Sequence, residues 1–468
     1  MKNLIGREYE VKRLQRVYES CESEFVMVYG RRRVGKTYLV REFFNNTFDF
    51  YLTGIAGGSY REQLSNFRAS MITVDENLGR TLPANWWEAF EQLKVLLSRS
   101  HRKRKVVFLD EMPWIDTPRS GFIKALEHFW NSWASARTDI ILVVCGSAAA
   151  WMVSHVVRNH GGLHNRLTLK LKLSPFTLSE TRSYLKSRGI RWDERTVAEC
   201  YMIMGGIPYY LKLLDSSLSL SQNIDQMFFA DDAELSDEFG NLYASLFRDS
   251  DEHVKIVSLL AKKRTGYTRE QIVEALKIND GGSLSRRLDE LELCDFIRRY
   301  RAVGNTRYIY QLTDFYTLFY FNFIARRKTL DNHHWQHLIN TPAYNTWCGL
   351  SFERLCFAHL EQIKHILGIS GMATSTYAYH DSHVQIDMVI ERADRIVDMC
   401  EIKYTDKPFA ISKTYAQELD NKAQVLANKI KKQRSVYLVM ITASGLSQNE
   451  HSINRINNIL TLNDLFKG

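Results

Sequence analysis

The stretch Phe25-Val26-Met27-Val28-Tyr29-Gly30-Arg31-Arg32-Arg33-Val34-Gly35-Lys36-Thr37-Tyr38-Leu39-Val40 decides the fold. Its apolar run predicts a short buried strand, and the residues from Thr37 to Phe44 predict a helix. Between them, Gly30 to Thr37 has the spacing G-x-x-x-x-G-K-[ST], the loop that wraps a phosphate chain. Gly30 and Gly35 allow backbone N–H groups to turn inward, and the helix N-terminus adds positive potential. Lys36 is placed to reach the β- and γ-phosphates, and the Thr37 hydroxyl to take one Mg²⁺ position. Arg31, Arg32, Arg33, Val34 and Tyr38 complete the predicted binding segment. The arginines among them are loop positions that tolerate many side chains.

Outward from this loop, the first 180 residues or so alternate strand and helix signals, as a parallel α/β sheet requires. Phe48–Thr53, Val106–Leu109 and Ile140–Cys145 read as strands, and Leu167–Leu173 alternates as an edge strand does; Trp86–Leu97 reads as a helix. The Val106–Leu109 strand ends in Asp110-Glu111. A phosphate loop needs a second metal-holding carboxylate, which suits Asp110, and hydrolysis needs a base for water, which suits Glu111.

The chain has 468 residues, 45% hydrophobic and 25% charged, so it is a folded, multidomain protein. Its net charge of +9 makes a polyanion such as DNA a reasonable partner. No apolar run reaches the length of a membrane span and the start is charged, so neither a membrane helix nor a signal peptide is expected; a cytoplasmic location follows. Seven scattered cysteines without a C-x-x-C pair point to buried thiols.

The expected division is a nucleotide-binding core over 1–178, a helical lid over 179–248, a winged helix over 249–330 and a last α/β domain over 331–468. In the third part, His253–Lys262, Thr268–Leu276 and Ser283–Leu293 read as helices. Phe296–Tyr300 and Tyr308–Leu312 follow as strands around Gly304-Asn305. Ser283 is read as a helix cap, with Arg286 and Arg287 behind it, and Arg298, Arg299, Arg301 and Arg307 form a basic wing. Two uses stay open: contact with DNA, or packing against neighbouring domains.

In the last domain a helix over Leu350–Leu367 carries Glu353. Strands Thr374–His380, Val384–Glu391 and Ile396–Tyr404 follow, then a helix over Ser412–Lys432 and a strand over Ser435–Thr442. Asp387 lies on the middle strand, and Glu401 and Lys403 share one face of the next. Asp387 and Glu401 would bind Mg²⁺ with Glu353 completing the shell, and Lys403 would orient or deprotonate water for phosphodiester hydrolysis. His333, His334 and His337 read as a solvated helix face. His380 and His383 flank a turn.

The phosphate loop, the Asp110-Glu111 strand, Leu4-Ile5-Gly6-Arg7-Glu8 and Gly206-Ile207-Pro208 together resemble the archaeal-type ATPase family, in the STAND-like branch of AAA+ proteins. That resemblance implies ATP as the nucleotide and places Gly6, Arg7 and Pro208 near its base and ribose. It also implies Ser147 as the polar sensor of the γ-phosphate and Arg166 as an arginine finger. Asn165 departs from the usual glycine beside that finger, so Arg158 and a merely solvated Arg166 stay open. Residues 331–450 resemble the PD-(D/E)xK nuclease superfamily, with Ile386 where proline is usual. The resemblances imply an ATP-driven switch with DNA-processing capacity, as an oligomer or with a protein partner. The alternative is a signalling ATPase whose C-terminal domain only binds.

Overall fold

The protein is described by a computed structural model over residues 4–157, 162–163, 165–247, 249–301, 307–327, 331–430 and 434–467. It divides into two compact units, Met1–Ser174 and Pro175–Gly468.

The first unit is an α/β layer structure around a five-stranded parallel sheet. Its strands are β1 (Glu24–Tyr29), β2 (Phe50–Thr53), β3 (Lys105–Asp110), β4 (Ile140–Gly146) and β5 (Leu169–Lys172), in the order β2-β3-β4-β1-β5. Every residue of β3 and β4 is buried, as expected where helices cover both faces of a parallel sheet. β5 alternates buried and exposed along its length, because it forms an edge. Helix Trp86–Arg99 lays Trp86, Phe90, Leu93 and Leu97 on one stripe against Phe122, Leu126 and Phe129 of helix Phe122–Ser132. The Trp86 and Phe122 rings meet edge-on at 4.9 Å. This packing fixes the ends of β1, β3 and β4, where the functional residues lie.

The second unit begins with helices, among them Leu178–Ser187, Glu194–Met204, Pro208–Lys212 and Glu238–Leu246. Helices Ser250–Leu260, Arg269–Leu276 and Gly282–Leu293 follow, with β6 (Tyr267–Thr268), β7 (Ile297–Tyr300) and β8 (Ile309–Leu312) paired antiparallel in the order β6-β8-β7. The expected turn residues Gly304 and Asn305 lie outside the described residues. Ser283 is not the cap of its helix: Gly281 holds that position in an extended conformation, and the helix starts at Gly282.

The unit ends in a second sheet. Strands β9 (Thr374–His380), β10 (Gln385–Arg392) and β11 (Ile396–Lys403) pair antiparallel. After the short β12 (Phe409–Ala410), β13 (Ser435–Thr442) joins β11 in parallel; the short β14 (Leu446–Ser447) precedes β15 (Asn458–Thr461), which joins β13 in parallel. The helix expected over Leu350–Leu367 is two helices. The first, Pro342–Ala358, starts eight residues early because Thr341 caps it and Pro342 fits its first turn. The second is Leu360–Ile366, with His359 at the break.

His359 is buried and neutral there. Its Nε2 accepts the Leu178 N–H at 2.9 Å, and burial pushes its pKa from 6.5 down to about 4. As pH falls, the unfolded chain takes up this proton first. The stabilisation is therefore complete above pH 6.5 and drains away between 6.5 and about 4, on the order of 3 kcal/mol in all. Urea midpoints at about pH 7.5 and about pH 5 should differ in the wild type, and His359→Gln, which keeps the acceptor without titrating, should narrow the gap.

Candidate functional site

In the first unit, the loop after β1 turns through left-handed conformations at Arg33 (φ +74°) and Gly35 (φ +90°). Gly30 (φ +147°) cannot carry a side chain, since a Cβ would lie 2.2 Å from the Leu173 carbonyl oxygen at the end of β5. Gly35, by contrast, faces open space and leads into helix Lys36–Phe43 without a side-chain cap, so the first helix N–H groups are left for an incoming acceptor.

Lys36 is 4% exposed. Its ammonium donates to the Arg31 carbonyl (2.9 Å) and to Ser147 Oγ (3.1 Å), both neutral, and among the described residues no carboxylate comes within ion-pair distance. A buried cation held only by neutral acceptors is costly until an anion arrives. Beside it, Thr37 Oγ1 donates to Asp110 Oδ2 at 2.8 Å. Burial raises the Asp110 carboxyl above its ordinary 3.8, and the Glu111 charge adds to this while the Thr37 hydrogen bond opposes it.

Glu111 takes a left-handed backbone (φ +46°), a strain of about 1–2 kcal/mol for a residue with a side chain. The bend sends its carboxylate to Ser147, where Oε2 accepts the backbone N–H at 3.0 Å and Oε1 accepts the hydroxyl. Ser147 follows β4, which lies between β1 and β3, so one hydroxyl touches both Lys36 and Glu111. The strand order makes this constellation.

Gly6 and Arg7 are both left-handed, and the Arg7 guanidinium donates to the carbonyls of Val34 (3.3 Å) and Ser174 (2.7 Å). Arg7 thus braces the loop backbone. Arg31 is buried, Arg32 and Arg33 are half-buried and Tyr38 is half-exposed. Arg166 is exposed in a turn, and Asn165 beside it has φ +56°, the conformation that glycine usually supplies and asparagine tolerates. Arg158 lies outside the described residues. Pro208 opens its helix in the second unit after left-handed Gly205 and Gly206.

In the second unit, Glu353, Asp387, Glu401 and Lys403 line one cavity of about 310 Å³. The β10–β11 register, with Met388 facing Cys400, brings Asp387 beside Glu401, and Asp387 Oδ2 accepts the Ile402 N–H at 3.0 Å. Each carboxylate already has a cation. Arg264 Nη2 lies 2.8 Å from Asp387 Oδ1 and 2.5 Å from Glu353 Oε2. Lys422 Nζ is 2.9 Å from both oxygens of Glu401, which also accepts the Tyr415 hydroxyl at 2.8 Å. Lys403 stands 3.8 Å from Glu401. Burial, then the Asp387 charge, pushes the Glu353 carboxyl up to about 8.

The expectation of a Mg²⁺ shell from Glu353, Asp387 and Glu401 therefore meets a correction. Among the described residues no group of three or more acidic, His or Cys side chains is gathered to hold a metal ion. As arranged, these carboxylates do not fit one, because a guanidinium and an ammonium neutralise them. Lys422, Tyr415 and Arg264 were missed from sequence. Lys422 left a signal: it interrupts the buried stripe Ala416, Leu419, Leu426 of helix Lys413–Lys429.

The arginines of the expected wing are also engaged. Arg298 donates to Gln311 (2.7 Å) and lies 3.5 Å from the Phe357 ring centroid; Arg299 pairs with Glu292 at 3.0 Å and Arg307 with Glu270 at 3.2 Å. His337 pairs with Asp331 at 2.9 Å, in keeping with a structural role.

The parallel sheet and its loop define an α/β fold resembling the P-loop ATPases. Residues 4–214 match the family described as an ATPase domain predominantly from Archaea. The chain is 23% identical over 408 residues to an uncharacterized protein of Methanocaldococcus jannaschii, covering 86% of this chain and 88% of that one. Among solved structures it is similar to the Walker-type ATPase of Pyrococcus abyssi, with 16% identity, 68% of this chain and 96% of that chain covered and a TM-score of 0.49. It is also similar to the ORC2 protein of Aeropyrum pernix, with 14% identity, 73% and 98% coverage and a TM-score of 0.41. Among the described residues no helix is long and apolar enough to cross a membrane.

Glu401 is fully buried, so removing its ammonium leaves an uncompensated charge. Lys422→Met should lower unfolding free energy by about 3 kcal/mol in urea titrations, and adding Glu401→Gln should restore most of it. In the first unit, Glu111→Gln should retain nucleotide affinity while slowing any hydrolysis by about 10²–10⁴-fold, read by calorimetry and phosphate release.

Proposed function

We propose that the chain is an ATP-hydrolysing switch protein whose second unit carries a module of the DNA-processing kind. The observation behind this reading is the buried Lys36 ammonium, held by neutral oxygens at the mouth of the glycine loop. A triphosphate supplies the missing anion. The loop and first helix N–H groups, Lys36 and Ser147 hold its oxygens, and Gly6 and Arg7 serve the base and ribose. Thr37 and Asp110 would hold Mg²⁺, which neutralises charge between the β- and γ-phosphates. Glu111 takes a proton from water as its oxygen attacks the γ-phosphorus and the bond to the β-phosphate oxygen breaks, releasing ADP and phosphate. Arg166 is the candidate to stabilise charge from outside the pocket.

The pairing of the wing arginines favours a winged helix used for packing over one laid on DNA. Likewise, the pairing of Glu353, Asp387 and Glu401 with cations of the chain favours a second reading of the C-terminal module as a binding element in this arrangement.

Side-by-side assays of ATP turnover and plasmid nicking test the proposal. Wild type should release phosphate from ATP with Mg²⁺, and Lys36→Ala should lose at least about 100-fold in kcat/KM. Equal turnover in the two proteins would contradict the site. Nicking that survives Asp387→Ala with Glu401→Ala would exclude the cavity as its source.

A further inference from the structure

We propose that Arg264 is an internal plug of the C-terminal carboxylate cavity, standing in for a divalent cation and excluding one until it withdraws. The inference deepens the reading of that cavity as a phosphodiester-processing site and rests on it for its purpose, though not for its geometry.

A single nitrogen, Arg264 Nη2, contacts both Asp387 Oδ1 and Glu353 Oε2. Asp387 is buried and Glu353 half-buried, and two such carboxylates converging on one point repel each other, one keeping its proton, unless a positive charge sits there. The Gln385 amide, once turned to place its oxygen toward the guanidinium, would accept from Nη1 at 2.9 Å and Nη2 at 2.6 Å, the orientation that satisfies both groups. The charge balance points the same way. With every carboxyl ionised, the cavity lining has four acids (Glu353, Asp387, Glu401, Glu418) against three cations (Arg264, Lys403, Lys422). Without Arg264 the deficit is two positive charges, which one divalent ion supplies.

The plug comes from a different element than the site. Arg264 lies in the turn between helix Ser250–Leu260 and β6, whereas the carboxylates belong to helix Pro342–Ala358 and to β10 and β11. Its backbone is tied to the β7–β8 strands: Gln311 Nε2 donates to the Arg264 carbonyl at 2.6 Å, and the Tyr300 hydroxyl donates to the Thr265 carbonyl at 3.1 Å. Gly266 (φ +80°) brings the turn against β8, where a Cβ would lie 2.4 Å from the Tyr310 carbonyl oxygen. Arg264 is 31% exposed, so it can leave toward solvent when the three-stranded sheet shifts, carrying the turn with it. The device is a two-position contact: closed with Arg264 between the acids, open with the acids available to a cation.

The test is Mn²⁺ binding to the full chain without nucleotide, by calorimetry, with folding checked by circular dichroism. Arg264→Ala and Arg264→Gln should bind Mn²⁺ at least about tenfold more tightly than wild type, and adding Asp387→Asn should abolish the gain. A folded Arg264 variant with wild-type affinity overturns the plug. Should neither variant fold, hydrogen exchange on the wild type decides: Mn²⁺ should speed exchange over residues 261–268, and binding at the cavity without that change, or no effect at saturating Mn²⁺, overturns it. Tighter Mn²⁺ binding with no nicking of added plasmid upholds the plug while removing the phosphodiester reading.

Discussion

The first unit depends on a buried ammonium that, among the described residues, is held by neutral oxygens. Lys36 leaves water and, among the described residues, finds a backbone carbonyl and a hydroxyl, an arrangement that covers hydrogen bonds but not its charge. Several features of that unit serve this cation. Gly30 lets the loop close on the end of β5, Arg7 braces the Val34 carbonyl from behind, and β4 carries Ser147 into the gap between β1 and β3. The result is a glycine loop closed around a buried cation.

The second unit solves the opposite problem. There the fold buries carboxylates, and it neutralises them with side chains from its own elements: Lys422 from a packed helix and Arg264 from a turn. The two pairings differ in character. Lys422 is itself buried and clamps both oxygens of Glu401, as a structural pair does, whereas Arg264 is partly exposed and reaches in from a separate small sheet. A lasting neutraliser and a removable one sit side by side.

The first site was legible because its chemistry is local. Gly30 to Thr37 is one continuous stretch, Asp110 ends and Glu111 follows a strand whose apolar run announces it, and parallel pairing brings both to the same end of the sheet. Asp387 beside Glu401 was legible for a related reason, since a short antiparallel connection leaves few registers. Arg264 could not be read. A lone arginine in a turn carries no periodicity, and its partners lie 89 and 123 residues onward, on a helix and on a strand of another sheet. The helix start at Pro342 was legible but passed over, since Thr341-Pro342 is an ordinary cap and first turn. β15 escaped because four residues, two of them exposed, do not spell a strand outside their sheet. The basic stretch leaves both of its uses open for a physical reason: arginine stems pack on aromatic faces as readily as they reach phosphates, and Arg298 lies on Phe357.

The central claim is that the Lys36 pocket exists to receive a nucleotide phosphate chain. Calorimetric titration of the folded full chain with a non-hydrolysable ATP analogue and Mg²⁺ tests it most directly. The account predicts saturable one-to-one heat with a Kd on the order of micromolar, abolished in a Lys36→Met protein of unchanged circular dichroism. Absence of saturable heat in folded wild type, or equal affinity in Lys36→Met, would contradict it.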